Sequence, residues 1–268
     1  TFDGIGFVNA EMSGKNNAAI YSYCGNGDVS LTIRNCHFIG NTHLDEVDGS
    51  NGAALMIFSV KNVVIENTLF ANNKAICAPA ITIADTKATI SNCRFEGNSA
   101  SLNAGVMYVN SGAKPTFNDC VFTGNTALKW GMIHHQSGTT VLNNCIFTDN
   151  SDNSDWDGGA IATRYGSSGS ITVNGGEFTE NYAGWGAAFY QAKEGKSNVA
   201  DLYVNDVLIK NNTMGGSGAV WADGKSVFTK CTFDANTAGG TAKSDGHALT
   251  VATGADMQLY GCTVMNHS

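Results

Sequence analysis

The stretch Ala88-Thr89-Ile90-Ser91-Asn92-Cys93-Arg94-Phe95-Glu96-Gly97-Asn98 decides the reading of this chain. Its apolar residues stand two apart on either side of Asn92, the pattern of two short strands with one buried face each. Asn92 marks the corner between them and Asn98 marks the next. The same phrase returns down the whole sequence, so it is a repeat rather than a local hairpin.

Aligned on Phe95, the aromatic position is held by Phe7, Phe38, Phe70, Phe95, Phe122, Phe147, Phe178, Leu208, Phe233 and Val264, at spacings of 25 to 32 residues. Five residues earlier the column reads Phe2, Ile33, Ile65, Ile90, Phe117, Leu142, Val173, Tyr203, Phe228 and Leu259. Two residues earlier it contains Cys36, Cys93, Cys120, Cys145, Cys231 and Cys262, with Asp206 in the eighth repeat. Three residues later come Asn41, Asn73, Asn98, Asn125, Asn150, Asn181, Asn211 and Asn236. A second Asn-rich column holds Asn35, Asn67, Asn92, Asp119, Asn144 and Asn205. Later in each unit a small residue precedes an apolar one, as in Ala19-Ile20, Ala54-Leu55, Ala80-Ile81, Gly105-Val106, Ala160-Ile161, Ala219-Val220 and Ala248-Leu249.

These columns predict an all-β fold: a right-handed, single-stranded parallel β-helix of nine or ten rungs with three short strands each. Stacked rungs pair at roughly 4.8 Å, giving a rod on the order of 45 Å long, and crossovers of this kind wind right-handed. Each column then becomes a ladder of like side chains, and stacked Asn amides can satisfy one another. Residues 1–268 read as one domain. Both ends fall inside repeats, as expected of an excised part of a larger surface protein whose signal and anchor lie elsewhere.

Composition agrees with this architecture. Glycine is 32 of 268 residues, proline only 2 and charged residues 14%, a mixture poor in helix formers and rich in turn formers. A net charge of -8 disfavours nucleic acid and anionic membrane as partners. No run approaches the roughly 20 apolar residues of a membrane span, so direct insertion by this segment is not expected.

Phe-x-x-Asn occurs seven times, from Phe38 to Phe233, and Gly158-Gly159-Ala160-Ile161 supplies one complete Gly-Gly-Ala-Ile. That pairing resembles the repeats of polymorphic outer-membrane proteins, and the Asn-Cys-x-Phe phrasing is similar to adhesin-like proteins of methanogenic archaea. The resemblance implies an extracellular rod used for adhesion, and the partner expected of it is carbohydrate or a surface protein of another cell. It carries over no binding residue, because the motif encodes scaffold.

Site candidates are few. Trp130, Trp156, Trp185 and Trp221 lie beside successive third strands, with Tyr165, Tyr182 and Tyr190 close in sequence. Such rings could stack on sugars or anchor a protein, or could cover the Gly-rich edges of their own loops. Asp149, Asp152, Asp155 and Asp157 could gather oxygens for Ca²⁺, although the loop matches no calcium motif; no other cofactor is expected. The Cys column reads as a reduced packing ladder, with a bridge between Cys24 and Cys77 left open. His134 and His135 alternate and cannot share one metal. Arg34 and Glu66 read as a surface ion pair. The sequon at Asn211 falls in the inward ladder, where modification would oppose the fold. A polysaccharide lyase or glycoside hydrolase is the alternative; it needs carboxylates converging on one outer face with a basic neighbour. Asp149 and Glu180 occupy matching positions on adjacent rungs without such a neighbour. A spacer that binds nothing is the third reading.

Overall fold

The computed structural model describes residues 1–14, 17–25, 28–44, 52–155, 157–193, 198–239 and 246–267. Trp156 and the side chain of Tyr165 lie outside the described residues, as do most of the long loops after His43 and Thr237. The chain winds as a right-handed parallel β-helix in which each turn pairs with the turns before and after it.

Each turn carries four strands, not three. In one turn these are the Gly-Ala strand Leu55–Phe58, the Ile strand Asn62–Glu66, the Phe strand Leu69–Ala71 and the post-Asn strand Lys74–Cys77. The fourth was invisible in the sequence because it can be as short as Thr126–Ala127, too brief to alternate. Among the described residues the post-Asn strands form their own nine-stranded sheet. The other three columns merge because Ile133–Thr148 and Ile161–Thr179 run unbroken through the corners.

Corners are set by backbone conformation. Asn35, Asn67, Asn92, Asp119 and Asn144 all have φ between 48° and 53°, the left-handed region that Asn and Asp tolerate better than other residues with a Cβ. At the start of the Gly-Ala strand the demand is steric. A Cβ on Gly159 would lie 2.6 Å from the Gly186 carbonyl oxygen of the next turn.

Inside, the Phe rings stack face to face from Phe7 to Phe178, with centroids 4.2 to 5.0 Å apart and planes within 9°. The Asn column behind them is a continuous polar chain. Asn73 Nδ2 donates to Asn98 Oδ1 at 2.9 Å and to the Phe38 carbonyl at 3.0 Å. Its backbone N–H donates to the same Asn98 oxygen. The arrangement repeats through Asn98, Asn125, Asn150 and Asn181, and His267 receives the last backbone N–H, from Asn236.

In the eighth repeat the register differs from the sequence alignment by one residue. Asn205 pairs with Asn174, and Ile209 pairs with Phe178. The ladder amide is therefore Asn212, not Asn211, and Val204 and Ile209 face inward in place of Tyr203 and Leu208. Val207 takes the cysteine position, while Asp206 rather than Asn205 makes the left-handed corner. The shift keeps the Asp206 carboxylate out of the core, which the other register would bury. Asn211 becomes an exposed corner with φ 54°, so its sequon points outward. The same one-residue correction applies at Met107, which pairs with Ile81 where the alignment had Val106.

Candidate functional site

Function on such a rod belongs to side chains that leave the repeat. On the Gly-Ala strands the outward column runs Tyr21, Met56, Thr82, Tyr108, His134, Ala162, Tyr190, Trp221 and Thr250. Its middle is covered, and Met56, Thr82, His134, Ala162 and Tyr190 are all buried. A small outer core of Ala162, Tyr190 and Ala192 forms there, packed by Trp130, Trp185 and Trp221.

Trp130, Trp185 and Trp221 are thus largely packing groups. Trp185 stacks on Trp221 at 4.4 Å. Trp130 lies under the Arg164 guanidinium at 4.5 Å and against His134 at 4.7 Å. Tyr190 is only 4% exposed, so it offers no outward platform. The sequence placed these rings beside the Gly-Ala strands but could not show that they would fold over them.

His134 and His135 point to opposite faces, as alternation required. His135 is inward, bonded to Thr140 Oγ1 at 2.9 Å and to the Ser168 carbonyl at 3.1 Å. Burial pushes its pKa down to about 4. His134 faces out beneath Trp130 and stacks on Tyr108 at 5.1 Å, with both ring nitrogens lacking a protein partner. Burial, followed by the positive Arg164, holds its pKa at about 3.

The four aspartates do not converge. Asp152 is buried, accepting from the Gly131 N–H at 2.7 Å and the Ser154 N–H at 3.1 Å. Burial raises its pKa to about 6 against those hydrogen bonds. Asp149 is an exposed corner with φ 55°, as is Glu180 on the next turn with φ 58°. Asp155 is exposed and Asp157 half-buried. Among the described residues no three His, Cys, Asp or Glu side chains gather as a metal would require. Arg34 pairs with Asp3 at 3.0 Å, not with Glu66. Cys77, which ends a post-Asn strand, forms no disulfide, so it is not bridged to Cys24, which follows a Gly-Ala strand.

Toward the first turns the covering ends and a groove of about 500 Å³ opens. It is lined by Tyr21, Tyr23, Phe58, Ser59, Ala84, Asp85 and Ser111. The pairing explains its shape. Tyr23, Phe58 and Ala84 occupy one column, and the methyl of Ala84 leaves a notch where the two rings above it project. Tyr21 is 48% exposed and Tyr23 65%. On the polar side Ser59 Oγ donates to Asp85 Oδ2 at 3.2 Å, and both residues sit at left-handed corners that turn them outward. This volume lies in the range of small-molecule sites, and it combines ring faces with a carboxylate and two serine hydroxyls.

The sequence reading missed this site although a signal was present. In Tyr21-Ser22-Tyr23, alternation from the inward Ile20 places both tyrosines outside.

The fold and groove together define a β-helical solenoid with an open, aromatic-lined surface site. Residues 18–200 match the family model of the right-handed β-helix region, and the chain belongs to that family. No curated protein and no solved structure matches it.

Proposed function

We propose that this chain is a non-catalytic binding rod of the adhesin type, displayed outside the cell, that holds a carbohydrate in the Tyr21–Tyr23–Phe58 groove. One observation carries the reading: two exposed tyrosine rings and Phe58 flank a groove whose other wall is Ser59, Asp85 and Ser111. Aromatic faces take the C–H faces of sugar rings, while the carboxylate and hydroxyls meet sugar hydroxyls; rings with a polar edge suit a wet interface of this kind.

A hydrolase would place two carboxyl groups about 5 to 10 Å apart across the scissile bond. Among the described residues Asp85 is the one carboxylate lining the groove, which favours retention over cleavage. The resemblance to polymorphic outer-membrane-protein and methanogen adhesin-like repeats points the same way.

The test is a polysaccharide array probed with the wild-type chain and with Tyr21→Ala and Tyr23→Ala, with and without Ca²⁺. Saturable binding that both variants lose, with no sugar released, is the expected result. Release of reducing ends or unsaturated products would overturn it in favour of a lyase or hydrolase. Unchanged binding in both variants would move the site elsewhere on the rod.

A further inference from the structure

Three cysteines stand in line inside the solenoid. Asn118 pairs with both Ser91 and Asn143, and Val121 with both Arg94 and Ile146, so Cys93, Cys120 and Cys145 occupy one position on three consecutive turns. Backbone bonds hold that register on both sides: the Val121 N–H donates to the Cys93 carbonyl at 3.0 Å, and the Ile146 N–H to the Cys120 carbonyl at 2.9 Å. Paired turns are roughly 4.8 Å apart, inside the range of about 4.4 to 6.8 Å between Cα atoms that a disulfide spans. Thr68 ends the stack on one side and Gly176 on the other.

We infer that this trio is a cross-turn oxidation site that holds one disulfide at a time, always including Cys120, with either Cys93 or Cys145. The outer two are two turns apart, about 10 Å, too far to bridge. In the finished solenoid each thiol donates to the carbonyl two residues before it, Cys93 to Ser91 at 3.2 Å, Cys120 to Asn118 at 3.4 Å and Cys145 to Asn143 at 3.5 Å.

All three are fully buried in the finished solenoid, so oxidation takes place while the turns are being wound. The oxidant is a low-molecular-weight disulfide such as oxidised glutathione. The Cys120 thiolate attacks one of its sulfurs, forms a mixed disulfide and releases one glutathione thiolate. Cys93 or Cys145 then loses its proton to solvent and attacks Cys120 Sγ, releasing the second glutathione. Two protein thiols are oxidised and one glutathione disulfide is reduced to two thiols. The third cysteine remains in line with the bridge. Its attack on Cys120 Sγ would break the first S–S bond and form the second, with its proton passing to the sulfur released.

The test is to refold the full 268-residue chain in a glutathione redox buffer and, in parallel, in excess dithiothreitol. The folded fraction is then denatured in the presence of the alkylating agent and its peptides mapped without reduction. The expected products are Cys93–Cys120 and Cys120–Cys145 linkages, each two hydrogens lighter than the free pair. Cys93→Ser should leave only the second linkage and Cys145→Ser only the first. In Cys120→Ser, Cys93 and Cys145 should both be alkylated; Thr68 in the same column shows that a hydroxyl fits there, bonding the Glu66 carbonyl at 2.8 Å. Complete alkylation of the trio in folded wild-type protein would overturn the inference, as would a Cys93–Cys145 linkage.

Discussion

The corner after each Phe strand and the outer face of the Gly-Ala strands follow opposite rules. At the corner, seven successive side-chain bonds from Asn41 to Asn236 repeat one geometry at 2.9 to 3.1 Å. On the Gly-Ala face no residue type repeats from one turn to the next. Several of the buried polar atoms without a protein partner lie on it or against it, on Thr82, Trp130 and His134. Repetition satisfies every amide and makes the rod. Its interruption makes room for rings, notches and a groove.

Breaking the regular side should have the largest effect. Asn125→Ala removes the acceptor of both the Asn98 amide and the Asn98 backbone N–H, and strips a donor from Asn150 Oδ1 and the Phe95 carbonyl. Leaving such buried groups unpaired should cost about 3 kcal/mol or more, read as a lower urea midpoint with a similar slope. A cost below about 1 kcal/mol would mean that the ladder follows the fold rather than holding it.

Two histidines of one Gly-Ala strand, one on each face, should govern acid stability. His134 and His135 are held near 3 and 4 against an ordinary value of 6.5. The unfolded chain therefore binds more protons throughout that window. Stability is complete above about pH 6.5 and falls as the pH drops toward 3, by up to a few kcal/mol for each ring. His134→Phe keeps the stack on Tyr108 and should flatten the decline in urea midpoints between pH 7 and pH 4.5. Parallel declines in both proteins would remove His134 from the account.

Asp152 carries a smaller effect of the opposite sign. Its folded pKa of about 6 lies above the unfolded 3.8, so the folded chain holds the extra proton between those values. The group therefore costs stability progressively as pH rises from about 4 to 6, and fully above 6. Asp152→Asn can still accept from the Gly131 N–H. It should gain about 1 to 2 kcal/mol at pH 7.5 and nothing at pH 3.5; a loss at pH 7.5 would show that the carboxylate's two hydrogen bonds outweigh its burial.

The contrast also explains what could be read from the sequence. The columns from Phe7 to Phe178 were legible because each turn offers one candidate per position. The eighth turn offers two: Tyr203 or Val204, Leu208 or Ile209, Asn211 or Asn212. Counting residues cannot choose between them, although the cost of burying an aspartate argues against the register that places Asp206 in the cysteine column. On the Gly-Ala face no column repeats, so the sequence yielded lone aromatics without their directions. Trp185 and Trp221 proved to stack on each other, while Tyr21 and Tyr23 stayed open.

The most direct measurement is isothermal titration of the best glycan from the array into wild-type chain, Tyr23→Ala and Trp185→Ala at one pH and salt. Tyr23 is so exposed that its loss should change stability by no more than about 0.5 kcal/mol, which keeps the readout one of binding. The account predicts at least about a tenfold loss of affinity in Tyr23→Ala, which is about 1.4 kcal/mol, and near-wild-type affinity in a folded Trp185→Ala. Full affinity in Tyr23→Ala with loss in Trp185→Ala would contradict it and return the site to the tryptophan face.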